Sequence, residues 1–259
     1  MARRRERFER TDVPKERPHR NLLGLLVVLV VAVVTGLVVH ATWERVQLEE
    51  RLEESDLEDA VAAQTSATVP DSTYVPSGHN YTTVLLLGAD PTDASTLTSA
   101  ELLVIDTDAG TGSIVTLPTS VSVSTSDGVT HTLATLFSAK GGAACVAPLA
   151  SATNIPVSHV IVSTEDVWDR IAGLQGEGMT ALVRQAADLL SAMQTDMGAD
   201  DLFGLGEKLQ AAGGVATLAR VDVPLAEETV AAADGSGATG VVVDAVSLGV
   251  TLGTLVAAQ

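Results

Sequence analysis

Residues Leu22–Val39 form an unbroken run of eighteen apolar or small residues, and no other feature constrains the chain as strongly. At about 1.5 Å of rise per residue, a helix of that length comes close to spanning the hydrocarbon core of a bilayer. The flanks orient it. Residues 1–20 carry eight basic side chains against four acidic ones, whereas Glu44–Asp71 holds nine acids and only Arg45 and Arg51 as bases. Basic flanks stay on the cytoplasmic side, so the remainder of the chain is expected outside the cell. Trp43 falls where an interfacial aromatic anchor belongs. A cleaved signal peptide is the competing reading, since Val39-His40-Ala41 offers small residues to a signal peptidase. The run exceeds the usual apolar stretch of such peptides, about 7 to 15 residues, and we read it as a retained anchor.

This divides the 259 residues into a basic cytoplasmic tail (1–20), a transmembrane helix (21–42), an acidic helical stalk (43–63), a linker (64–80) and an extracytoplasmic domain (81–259). The stalk shows no sustained heptad, and the linker is rich in Ser, Thr and Pro with no apolar period. A hydrophobic content of 46% excludes a disordered chain. The net charge of −18 excludes a nucleic-acid binder that works by neutralising phosphates. One cysteine, Cys145, permits no internal disulfide, so an apolar core must hold the domain together.

Within the domain, strand patterns occur at Thr82–Leu87, Glu101–Asp106, Ser113–Leu117, Val157–Val162, Thr217–Val223 and Gly240–Val243. Helical periodicity occurs at Ala143–Ala152, Glu165–Leu174, Met179–Met193, Asp200–Ala212 and Asp244–Val256. Ser163 with Asp166 three residues on has the form of a capping box for the second helix. The turn residues between Asp106 and Ser113 predict an antiparallel hairpin. The expected class is α/β, a mixed central sheet flanked by helices on both faces.

Most catalytic signatures are missing. Gly235-Ser-Gly237-Ala-Thr-Gly240 matches the dinucleotide-binding pattern in letters, but a strand follows it where a helix is required, and a flexible loop is expected. His131 and His159 read as hydrogen-bonded structural residues, and Tyr81, Phe137, Trp168 and Phe203 as core fillers scattered too widely for a sugar-stacking surface.

The run Thr83–Asp90 resembles the opening strand and turn of the LytR-CpsA-Psr family of cell-envelope proteins. Further pieces follow in the family's order. They are the hairpin leading to Leu117-Pro118, Gly141-Gly142, Asn154–His159, Asp166-Val167-Trp168, Arg184-Gln185 and Val221–Pro224. The resemblance implies transfer of glycopolymers from a polyprenyl-pyrophosphate carrier to the cell wall, a reaction that needs Mg²⁺ and several arginines to neutralise phosphoryl charge.

Those charged positions are where the chain departs from the family. Its Arg-x-Asp-Thr falls on Thr96–Ser99, its Ile-Pro-Arg-Asp on Leu117–Ser120, and Ala181 takes the place of a further arginine. What the resemblance leaves is Asp90 as a metal ligand, Arg184 and Gln185 as residual catalytic matches, and Lys140, Gly141 and Gly142 on the substrate side. Asp90 reads equally well as a turn carboxylate capping backbone amides. From residue 80 onward twenty acids face five bases, a field that repels a diphosphate.

The expected function is a catalytically inactive envelope module that binds lipid-linked glycan or a partner protein at the membrane. A weakly active Mg²⁺-dependent phosphotransferase and a purely structural assembly partner are the alternatives.

Overall fold

A computed structural model of the chain describes residues 55–64, 73–164, 167–173, 193–231 and 237–258. The chain divides into two units, 1–46 and 47–259. The first, with the expected cytoplasmic tail and membrane span, lies outside the described residues. No helix among the described residues is long and apolar enough to cross a membrane.

The second unit is built on strand β2 (Tyr81–Ala89), where every residue from Thr82 to Ala89 is buried. Beside it lie β3 (Leu97–Asp106) antiparallel and β7 (His159–Ser163) parallel. β4 (Thr111–Leu117), β8 (Met193–Thr195) and β9 (Ala219–Asp222) complete a six-stranded mixed sheet in the order β8-β7-β2-β3-β4-β9.

Side chains alternate between two cores. Leu85, Leu87, Leu102, Val104, Val115 and Val160 point to one face, while Val84, Leu86, Leu103, Ile105, Ile114 and Ile161 point to the other. This period of two explains why strands covered on both faces read as near-continuous apolar runs.

Four helices contribute to the first core. They are α1 (Ser55–Ala62), α2 (Leu133–Lys140), α3 (Ala143–Thr153) and α6 (Ala245–Leu252). α4 (Trp168–Gly173) and α5 (Ala199–Ala211) contribute to the second. The expected class, a mixed sheet with helices on both faces, is the one observed. The hairpin is also present, with β3 and β4 in antiparallel register from Ala100↔Leu117 to Asp106↔Thr111. The Asp106 carboxylate shapes its turn by accepting from the Asp108 and Ala109 amides at 3.0 and 2.8 Å.

Packing begins before Tyr81. Leu57 of α1 is 3% exposed in the first core, and Gln64 bonds the Val157 backbone in both directions at 2.8 Å. Pro76, within the expected linker, ends a strand: β1 (Tyr74–Pro76) pairs antiparallel with β12 (Leu255–Ala257). Hence the expected helix Asp244–Val256 stops at Leu252, where Gly253 turns the chain left-handed, and the residues beyond form β12.

Other expectations need correction. Met193 opens β8 rather than ending a helix; the rest of the expected helix 179–192 lies outside the described residues. Ser163 is the last residue of β7, five positions before α4, and so is not its cap. Gly237–Gly240 belong to β11 (Gly237–Val243), paired with β10 (Leu225–Ala231), not to a flexible loop. Phe203 is 38% exposed, because Leu202, Leu205 and Leu209 take the inner stripe of α5. Helix α2 and the small hairpin β5 (Ser122–Ser124) with β6 (Thr130–Thr132) were not expected.

Two outcomes test this packing. Leu57→Ala is expected to destabilise the protein by about 2–4 kcal/mol in urea unfolding, because it opens a cavity where a solvated stalk residue would cost almost nothing. The exposed His79 ring lies 2.6 Å from Asp106, whose hydrogen bond and charge hold the imidazole above its usual 6.5. Its stabilising share is complete below 6.5 and lost as pH rises through the raised value. Asp106→Asn is expected to bring the His79 midpoint in an NMR titration back towards 6.5.

Candidate functional site

β2 and β7 run parallel in register from Val84↔His159 to Gly88↔Ser163, and their carboxyl ends finish side by side. Open α/β sheets bind ligands outside such ends. A cleft of about 430 Å³ lies there, walled by Ala89 and Ser95, by Phe137 and Gly142, and by Val162 and Met193. A smaller cavity of about 170 Å³ shares Ala89 and Thr164 with it and reaches Thr98, Ser99 and Glu101.

Two glycines permit this edge. A Cβ at Gly88 would overlap the Ser99 hydroxyl, and the β2–β3 register slips immediately after it. A Cβ at Gly142 would stand 2.5 Å from Val162 Cγ2, so only glycine lets the start of α3 rest directly on β7. Gly141, at φ 79°, ends α2 and donates its N–H to the Phe137 carbonyl at 2.8 Å. Both expected substrate-side glycines therefore line the cleft. Lys140 does not. It ends α2 on the exposed surface, and its charge is felt by Asp127.

Asp90 sits at the rim, one residue beyond Ala89. Its Oδ1 accepts from the Thr92 hydroxyl at 2.6 Å, the Thr92 amide at 2.7 Å and the Asp93 amide at 3.3 Å. The Thr92 hydroxyl and then its amide hold this carboxyl below the usual 3.8. Asp93 is tied in the same manner to Ser95 and Thr96 and is likewise lowered, chiefly by the Ser95 hydroxyl. The observed role of Asp90 is that of a turn carboxylate.

Thr98 stands where the resemblance places a metal-binding aspartate, and its hydroxyl donates to the Gly88 carbonyl at 2.9 Å. Glu101 accepts from Trp168 Nε1 at 2.7 Å and faces Arg220 at 3.5 Å. Among the described residues, no three His, Cys, Asp or Glu side chains converge as a metal site. Asp90 Oδ1 is taken up by its own turn, and the second position carries the Thr98 hydroxyl in place of a carboxylate. Arg184 and Gln185 lie outside the described residues.

Cys145 is buried beneath this edge, and burial pushes its thiol up to about 12, so no thiolate nucleophile forms. His159 bonds Asp196 at 3.0 Å, in keeping with a structural role.

Sequence reasoning passed over Phe137, Ser163, Thr164 and Gln194 as lining residues. They carry no signal beyond position. Glu101 did carry one, as the single charge in the middle of an otherwise apolar strand end.

No family model matches the sequence, and no curated protein matches it. Among solved structures, the chain is similar to Lin1025 of Listeria innocua, at 11% identity and TM-score 0.47 over 67% of this chain and 95% of that one. It is similar to TagT bound to LI-WTA at 14% and 0.46, over 74% and 98%. It is also similar to B. subtilis TagV at 10% and 0.46, over 66% and 93%.

The Asp90 turn predicts an acid titration. Its contribution to stability is present above 3.8 and lost as pH falls through the lowered folded value. Thr92→Val is expected to raise the Asp90 midpoint towards 3.8, measured by carboxyl-detected NMR; an unmoved midpoint would remove the hydroxyl as its cause.

Proposed function

We propose that this protein is a membrane-anchored, extracytoplasmic cell-envelope module that binds lipid-linked glycan during wall assembly and does not transfer it. The reading rests on the family resemblance of the sequence, on the anchor expected at residues 21–42, and on one observation at the cleft. Every described residue that lines the 430 Å³ cleft is uncharged. Phosphoryl transfer from a pyrophosphate carrier needs fixed cations and a metal where charge develops. The walls instead offer Ser95, Ser138, Thr164 and Gln194 beside Phe137, Val162 and Met193. Such a surface suits hydroxyl-rich and apolar parts of a ligand better than a diphosphate. The acidic balance of the domain, twenty acids to five bases, acts in the same direction.

In this reading the Gly88–Ser99 contact and the Gly141-Gly142 turn preserve the cleft, while Thr98 and Asp90 serve as internal hydrogen-bond partners. The test incubates the full chain with radiolabelled polyprenyl-pyrophosphate-linked glycan, peptidoglycan and Mg²⁺. The expected outcome is retention of the labelled lipid by the protein with no label in peptidoglycan, and loss of retention in Gly142→Val. Transfer that disappears in Asp90→Ala overturns the reading, as does failure to retain the lipid.

A further inference from the structure

Strand β10 is the outer strand of a two-stranded ribbon, and none of its seven residues is buried. Its partner β11 is covered on one face, since a Cβ at the buried Gly240 would stand 2.7 Å from Ser122 Oγ of β5. Beyond β10 no strand follows among the described residues. We propose that β10 is a docking edge, to which a partner protein adds one extended, basic strand. The edge shares no residue with the cleft and does not depend on its ligand.

The backbone supplies the first observation. The Asp244 amide donates to the Pro224 carbonyl at 2.9 Å, which makes these two a hydrogen-bonded pair and fixes the alternation along the register. Ala226, Glu228 and Val230 then bond to β11, while Leu225, Glu227, Thr229 and Ala231 turn their N–H and C=O groups outward. Among the described residues no backbone group meets them. Natural sheets interrupt such edges with proline, a bulge or lysine. β10 carries none of these, and its register runs unbroken from Leu225↔Val243 to Ala231↔Gly237.

Charge selects the occupant. From Val221 to Gln259 the sequence holds five acids, Asp222, Glu227, Glu228, Asp234 and Asp244, and no lysine, arginine or histidine. Glu227 and Glu228 stand exposed in the middle of the edge. They disfavour a second copy of this chain, because antiparallel pairing of two β10 strands about their centres sets Glu228 against Glu228. The same two carboxylates favour lysine or arginine on an incoming strand. Leu225, 44% exposed, and Val241, 36% exposed, lie on the face of Glu227, so an apolar residue two positions from the basic one completes the match.

The experiment follows amide hydrogen exchange by NMR on the full chain, with the blocked peptide Thr-Val-Thr-Lys-Thr-Lys-Thr and its counterpart with Glu for Lys as probes. At saturation the Lys peptide is expected to slow exchange of the outward Glu227 and Thr229 amides at least about tenfold, leaving the Glu228 and Val230 amides unchanged. The Glu peptide is expected to slow neither. Thr229→Pro removes one outward N–H and no ladder bond, a place where an edge strand tolerates proline. It is expected to abolish the slowing at Glu227 at an unchanged melting temperature, which charge attraction alone would not do. Glu227→Lys combined with Glu228→Lys is expected to reverse the preference between the peptides. No slowing by the Lys peptide, equal response to both peptides, slowing retained in Thr229→Pro, or an unchanged preference in the double variant overturns the proposal. So does protection of these amides that grows with protein concentration without peptide, which would place a second copy on the edge.

Discussion

The parallel pairing of β2 with β7 carries the rest of the architecture. Both strands are flanked by two cores, so each of Leu85, Leu86, Leu87, Val160 and Ile161 is buried whichever face it takes. Fully burying such a side chain contributes about 1.5–3 kcal/mol, and the two strands concentrate that stabilisation in a short stretch of chain. The same pairing aligns two carboxyl ends at one edge, where backbone must turn away and a cleft opens. Scaffold and site are consequences of a single strand pair.

What occupies that edge is chemically mild. Two positions at which the resemblance would set charge, Thr96 and Thr98, hold hydroxyls instead, and both donate within the same edge: Thr98 to the Gly88 carbonyl, Thr96 to the Asp93 carboxylate. Asp90, held by two amides and a hydroxyl, and Asp93, held by one amide and two hydroxyls, are stabilised as anions by neutral donors. This is how a strongly acidic domain can keep Asp90 and Asp93 ionised and ordered in a seven-residue loop. Arg220 faces Glu101, which also takes the Trp168 indole.

Legibility in the sequence followed burial. β2, β3 and β4 were readable because burial on both faces leaves apolar runs, and α3 and α5 because an apolar stripe recurs at helical spacing. α2 was missed because its apolar face, Leu133, Leu136 and Phe137, is confined to a helix of only eight residues, and β10 because its residues face mostly solvent. The candidate site was partly readable: Gly141 and Gly142 through the resemblance, Asp90 through its turn. Lys140 precedes them in sequence but does not line the cleft, since the last residue of a helix turns with the helix and not with the loop after it.

The division between the two levels is physical. Local patterning determined most of the buried strands and helices, the acidic balance, the apolar run near the N-terminus and the absence of charge at Thr96, Thr98 and Thr119, because each depends on neighbours in sequence. Tertiary structure alone decided that Leu57 belongs to the core, that Pro76 ends a strand against Leu255, and that His79, Tyr81 and Asn154 share one pocket. The last two of these join residues between 73 and 179 positions apart, and only closure of the sheet and its helices brings them within reach.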